Sequence, residues 1–342
     1  MARCLSITLA ALALSCSAGM ITPAEQPSYT TSRQIYYAAA QRAMRLPDGS
    51  DLLIYEPSPP DERPPGKRVF IVSPQGPDGD RSFTLETLIP KEIADGFPGQ
   101  IRSVAMSEDK KWLAAVGGWL GARDHRGHNG VFLLQLHEPS GGFWRLKSWF
   151  EVSDLAIGEV AFGAGGTLVV TSQPHDAAPG GAPILTLFTD SGQRLGSFIN
   201  SPHHGERAAA PLEMRIARTG ERSYAVYDPE AGQIRYVALT GGPRPALEQT
   251  GAVTIPFSTD RLNLVVFDPR ADGRVVLGRT VVENRRGRTM VTILDQAGRV
   301  AEEWEAPRSW SYGFADEKHV LYGFSRASGE SPAMEIRRVS VR

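Results

Sequence analysis

Apolar and polar positions alternate along this chain in short runs, and one arrangement recurs six times: an apolar strand, a tight polar turn, a second apolar strand. The copies are QRAMRLPDGSDLLIY (41–55), RSVAMSEDKKWLAAV (102–116), GEVAFGAGGTLVVTS (158–172), EMRIARTGERSYAVY (213–227), NLVVFDPRADGRVVLG (263–278) and YGFADEKHVLYGF (312–324). Between them VFLLQLHEPSGGFWRLKSWF (131–150), ILTLFTDSGQRLGSFI (184–199) and TMVTILDQAGRVAEEW (289–304) each read as strand, Gly-containing turn, strand. Period-2 alternation bounded by Gly, Pro and Asp is the pattern of half-buried strands. The pairs Asp48-Gly49, Gly165-Gly166 and Asp272-Gly273 suit tight hairpin turns. No amphipathic helix of useful length interrupts them.

Four strands per unit, repeated without helices, predict an all-β fold: a six-bladed β-propeller. The alternatives are seven blades, since the spacing is uneven, and a large β-sandwich. A chain of 342 residues is long for a single core, which stops growing at about 250–300 residues. A ring of units escapes that limit because each packs only on its neighbours. The C-terminal MEIRRVSVR (334–342) is only the third strand of the last blade. RQIYYAAA (33–40) is expected to supply the missing outer strand and close the ring.

The pairs VAMSEDKKWLAAV (104–116) and LFTDSGQRLGSF (187–198) resemble the repeats of extracytoplasmic six-bladed propellers of the NHL and TolB type. The likeness covers 35–342 in short, degenerate patterns. It implies the fold and an address outside the cytoplasm. Members of that superfold bind proteins, sugars or nucleic acids, and a few are lactonases, so the resemblance selects no activity.

The N-terminus changes the picture by adding an address of its own. Arg3 and the apolar run from Cys4 to Leu14 read as a secretory signal over 1–19, too short to span a bilayer. Cleavage after Ala18 is one expectation. The other is a lipobox, Ala13-Leu14-Ser15-Cys16, with Cys16 lipidated, which would make the chain an outer-membrane lipoprotein. The small, polar run over 17–30 reads as a tether, so the division is signal 1–19, linker 20–32 and propeller 33–342. The expected location is periplasmic, outer-membrane or secreted, and the membrane is touched only through the lipid. Cys4 and Cys16 are the only cysteines, so the mature domain has neither a disulfide nor a thiolate metal site. Charged residues make up 22% with a net charge of −1, which argues against nucleic acid as a partner.

Five of the seven histidines fall in three loops: His125 and His128, His175 beside Asp176, and His203 with His204. On the predicted strand order these loops emerge on one face. With their carboxylates they are candidate ligands for a divalent cation, the one cofactor the chain could carry. Against this, His-x-x-His in a loop has no fixed geometry. Arg123, Arg126, Arg207, Arg285, Arg286 and Arg288 collect on the same face and offer forks for a carboxylate or phosphate. Asp124, Asp176, Glu206 and Glu283 sit among them, as on an ordinary mixed-charge surface.

Other motifs have plainer readings. Gly323-Phe324-Ser325-Arg326-Ala327 approximates a nucleophile elbow but lacks the following helix. Asp78-Gly79-Asp80 and Asp48-Gly49-Ser50-Asp51 are turns short of a calcium loop, and Gly163–Gly166 lacks the Lys-Ser/Thr of a phosphate loop. Phe143, Trp144, Trp149 and Phe150 read as inter-blade packing, or, through an exposed Trp149, as an anchor for a partner.

Three functions follow as expectations. The first is an exported, non-catalytic propeller binding a protein or glycan through one loop face. The second is a metal-dependent hydrolase of lactonase type, with Glu159, Glu213 and Asn263 at the starts of innermost strands as ligands. The third is a structural envelope protein.

Overall fold

The computed structural model describes the backbone of residues 24–25, 29–30, 40–45, 51–55, 68–72, 81–84, 100–121, 126–136, 144–174, 183–199, 214–229, 231–242, 245–257, 263–283, 286–306, 311–315, 320–326 and 334–340. These residues form antiparallel sheets and almost no helix. The chain begins with two short strands, β1 (Ala24–Glu25) and β2 (Tyr29–Thr30). A first four-stranded sheet follows: β3 (Ala40–Arg45), β4 (Asp51–Tyr55), β5 (Arg68–Val72) and β6 (Arg81–Thr84). The second holds β7 (Gln100–Met106), β8 (Trp112–Leu120), β9 (Gly127–Leu136) and β10 (Trp144–Glu151). The third holds β11 (Leu155–Phe162), β12 (Leu168–Pro174), β13 (Pro183–Phe188) and β14 (Arg194–Ile199). The fourth is built from β15 (Arg215–Gly220), β16 (Ser223–Asp228), β17 (Gln233–Leu239) and β18 (Leu247–Thr254). The fifth is built from β19 (Asn263–Pro269), β20 (Val275–Glu283), β21 (Arg286–Leu294) and β22 (Val300–Glu305). A sixth comprises β23 (Ser311–Ala315), β24 (Val320–Arg326) and β25 (Met334–Ser340), with β1 and β2 both paired to β25.

The six copies read from the sequence are the first two strands of the six sheets. The first strands lie side by side in the order β7, β11, β15, β19, β23, β3. The strand added beside β25 comes from 24–25 and 29–30, inside the span read as a linker. Residues 33–39, expected from the sequence to supply that strand, lie outside the described residues, and Ala40 opens β3.

Alternation along each strand divides its side chains between two inter-sheet cores. Leu168 and Val170 of β12 face the second sheet, packing with Val116, Val131 and Leu133; Val169 between them faces the fourth, with Ile216, Tyr224 and Val226. In the same way Val226 of β16 turns to the third sheet, while Ala225 and Tyr227 pack on Leu264 and Leu277 of the fifth. A strand buried on both faces reads as a near-continuous apolar run, as Leu168–Val170 does. At about 25 cal/mol per Å² of apolar area, these stacked faces are the main favourable term in folding.

Each of the six first strands carries one residue more than its partner: Gln41 in β3, Arg102 in β7, one within 158–159 in β11, Thr219 in β15, Val265 in β19 and Gly313 in β23. A bulge bends its strand, sharpens the local twist and re-aims a side chain. The turns from first to second strand use left-handed glycines where the hairpin requires them, at Gly165, Gly166 (φ 67° and 78°) and Gly273 (φ 80°). Gly163–Gly166 is a turn with a single 3-10 step, and it runs into β12 rather than a helix. The Gly323–Arg326 segment is β24 strand, with Ser325 paired to Glu335, so no elbow forms there. Residues 78–80 and 48–50 lie outside the described residues, and Asp51 opens β4.

Candidate functional site

Two places gather polar side chains around the axis-side strands and the outer edge of the second sheet. The first is a belt across consecutive first strands. From the β7 bulge, Arg102 donates through Nη1 to the Asn129 side-chain oxygen at 2.7 Å and to the Ile157 carbonyl of β11 at 2.8 Å. Glu159, re-aimed by the β11 bulge, is buried at 6% exposure. Its carboxylate accepts the Ile216 amide of β15 at 2.9 Å, and Arg215 Nε lies 3.7 Å away. Arg215 donates onward to the Leu264 carbonyl of β19 at 3.2 Å. Arg102, Glu159 and Arg215 therefore staple four sheets in sequence. Burial holds the Arg102 guanidinium below its ordinary pKa. Glu159 thus has a structural occupation for its carboxylate, which is the role its position at an inter-sheet seam demands.

The second place is where β8, β9 and β10 end together. His128 on β9 stands opposite Trp119 on β8, and the two rings stack at 5.6 Å with 10° between planes. His128 Nδ1 lies 2.7 Å from the Glu151 carboxylate of β10. With the carboxylate ionised, Nδ1 carries the proton and donates it. Trp119 meets Trp149 edge-on at 6.3 Å, and Phe132 stacks against Trp149 at 6.4 Å. Gly130 makes room for this arrangement: a Cβ there would come within 2.9 Å of the Trp119 ring. Trp119 and Phe132 are buried, whereas Trp149 is 38% exposed. Phe150, its neighbour on the opposite face, packs on Phe188 of the third sheet at 5.4 Å. Of the expected aromatic packing, Phe150 is inter-sheet filler and Trp149 is the exposed edge; Phe143 lies outside the described residues.

The remaining expected site residues divide as follows. The three histidine loops connect β8 to β9, β12 to β13 and β14 to β15, and the arginine loop connects β20 to β21. Among the described residues no group of three His, Cys, Asp or Glu could hold a metal ion. His125, His175, Asp176, His203, His204, Arg123, Arg207, Arg285 and Glu213 lie outside the described residues, as does Cys16. Arg126 is exposed, and its carbonyl accepts the Gly121 amide. Arg288 is paired with Glu305 at 3.0 Å on β22. Arg286 opens β21 and Asn263 opens β19. Trp119 and Glu151 were not singled out by sequence. The signal for Glu151 is period 2 in SWFE, which puts Trp149 and Glu151 on one face of β10, both exposed; the extra residue at Lys147 turns Arg145 to the other face.

No protein-family model matches the sequence, and no curated protein does. Solved structures do match in fold. The periplasmic gluconolactonase of Pseudomonas aeruginosa is 12% identical, with 89% of each chain covered and a TM-score of 0.50. A protein of Bacteroides fragilis, named as exported, is 8% identical, with 92% of this chain and 94% of that one covered and a TM-score of 0.55. At these identities the likeness is one of architecture: an all-β, propeller-like stack of four-stranded antiparallel sheets.

Proposed function

We propose that the chain is an exported six-bladed propeller that binds a protein or glycan partner, without catalysis, through the end of the second sheet. The observation that carries the reading is the half-exposed Trp149 held rigid by Trp119 and Phe132 beside the His128–Glu151 pair. A buried cluster that fixes an exposed indole is the usual form of a binding anchor, because little side-chain entropy is lost on contact. Six sheets with adjoining first strands support the ring, and β1 and β2 complete its last blade. The secretory character of 1–19 and a periplasmic and an exported fold neighbour support the address.

The test is capture from an envelope fraction by the purified mature chain, with chemical crosslinking. Wild type is expected to retain a partner that Trp149→Ala and His128→Ala lose at unchanged melting temperature. Identical capture by all three proteins refutes the assignment of this end as the binding surface.

A further inference from the structure

Twice in this chain an arginine fills the space between an aromatic ring and a carboxylate. Arg279 lies over the Phe257 ring at 4.6 Å and donates to Glu303. Arg194 lies 5.9 Å from the centre of the Phe188 ring and donates from Nη2 to both oxygens of Asp154. The end of β10 repeats the ring and the carboxylate without the arginine. Trp149 stands opposite Phe132 and Glu151 opposite Gly130, so both project from one face of the sheet, about 7 Å apart along the strand. Trp149 and the Glu151 side chain are both exposed. His128 Nδ1 takes one carboxylate oxygen, Oε1, and the other accepts no hydrogen bond. A neutral imidazole suffices for that bond, so the carboxylate is aimed while its charge stays unmatched. Neither nearby cation supplies the match. Arg145, opposite Gln135, lies on the other face, and Lys147, the extra residue of the β10 bulge, makes no ion pair with Glu151.

We infer that the end of β10 takes an arginine side chain from a protein partner, its guanidinium laid on the Trp149 indole and forked onto Glu151. The inference rests on the reading of this end as a binding surface and names the chemistry of its partner. A cation over an aromatic face is attracted by the ring quadrupole, and the indole is the strongest such face. A guanidinium is planar, so it stacks on the ring while its edge N–H groups reach the adjoining carboxylate. An ammonium is a point charge with no plane to stack. A sugar ring asks for several donors and acceptors around the indole. Among the described residues this face offers His128 and Glu151 beside it, and the side chains of Trp119 and Phe132 add no acceptor. An acidic segment meets like charge at Glu151. The partner docks by side chain and not by adding a strand, because a bulge with a lysine on the β10 edge opposes further pairing.

The experiment follows the Trp149 indole N–H by NMR in the isotope-labelled mature chain, the resonance being the one missing from Trp149→Phe. Three probes are titrated: a capped Gly-Ser-Arg-Ser-Gly peptide, the same peptide with citrulline for arginine, and maltopentaose. Citrulline keeps the planar shape and removes the charge. The arginine peptide is expected to shift the resonance in the millimolar range, and to bind more weakly as salt rises. The citrulline peptide and maltopentaose are expected to bind about tenfold more weakly or worse. Glu151→Gln is expected to weaken the arginine peptide about tenfold at unchanged melting temperature. No shift with the arginine peptide at millimolar concentration overturns the inference, as does equal binding of the citrulline peptide. Tighter binding of maltopentaose also overturns it and makes this end a glycan platform. Binding seen only in Lys147→Ala overturns it as well and makes Lys147 the site's own cation. If the arginine peptide fails while Trp149→Ala still loses its envelope partner, the ligand class falls and the binding surface stands.

Discussion

Glu159→Ala separates a structural carboxylate from a metal ligand, and the structure sets its size. The carboxylate accepts the Ile216 amide at 2.9 Å inside a seam that excludes water. Removing a charged acceptor and stranding a buried amide costs about 2–3 kcal/mol. The contact with Arg215 at 3.7 Å adds less than about 1 kcal/mol, because that side chain is 28% exposed and its field is screened. The sum, about 2–4 kcal/mol, overlaps the range of about 3–5 kcal/mol for breaking one half of a buried pair. Glu159→Gln keeps an oxygen for the Ile216 amide and loses only the charge, so it should cost about 1 kcal/mol. Urea unfolding followed by fluorescence reads this as a shift in midpoint at constant slope. The staple is refuted if Glu159→Ala unfolds at the wild-type midpoint, or if Gln costs as much as Ala. A midpoint that falls in wild type on adding a chelator, and not in Glu159→Gln, would return Glu159 to the lactonase reading.

Three further outcomes follow from the same kind of bookkeeping. Gly192 has φ 88°, and a Cβ there would lie 2.5 Å from the Phe150 ring, so Gly192→Ala should cost about 2–4 kcal/mol. Gly165→Ala, also at positive φ but with open space around it, should cost about 1 kcal/mol; thermal melts of the two variants check the contrast. Burial acts to raise the Glu303 carboxyl, but hydrogen bonds from Arg279 and Thr292 and the charges of Arg279 and Arg288 outweigh it and hold it below its ordinary 4.5. A depressed carboxyl stabilises the fold above its unfolded value, and that stability is lost as pH falls through the folded value. Glu303→Gln should therefore melt earlier than wild type at neutral pH and match it in acid, as a series of melts from about pH 7 to 3 will show. Burial pushes the Tyr224 phenol up to about 12 despite the opposing pull of Arg218 and Arg222. Absorbance at alkaline pH should leave this tyrosine un-ionised until the fold is lost; ionisation of every tyrosine near 10 would show that it is not buried.

The strands β12 and β16 were legible because both of their faces are buried. β12 and β16 read as apolar runs, and their turns advertise themselves through Gly165-Gly166 and the Gly220–Arg222 hairpin. Outer strands were harder to see, since only one face packs: β18 and β22 expose most of their side chains, and LEQTGAVT carries little apolar signal. The strand beside β25 was expected from RQIYYAAA for its apolar residues, but β1 and β2 draw on AE and YT, where backbone pairing needs no particular side chain. The site divides along the same line. Trp149 stood out by residue type, and Glu151 shares its face by period 2. The Trp119–His128 stack depends on register across a hairpin, and the Glu159–Ile216 contact joins residues 57 positions apart. Neither leaves a local trace.

The pairing of β1 with β25 also sets an order of events. Ala24 stands opposite Ser340, more than 300 residues away in sequence, so the contact exists only once residues 24 to 340 have all been made. Bringing such distant ends together costs about 5 kcal/mol of chain entropy beyond a constant. Neighbouring sheets, joined by short connections, form without that cost and should assemble first. The last sheet is then the final step, and before it the molecule is an open stack with two exposed edges. Under the exported reading proposed above, that late closure would leave the chain threadable for passage across a membrane before the strand locks.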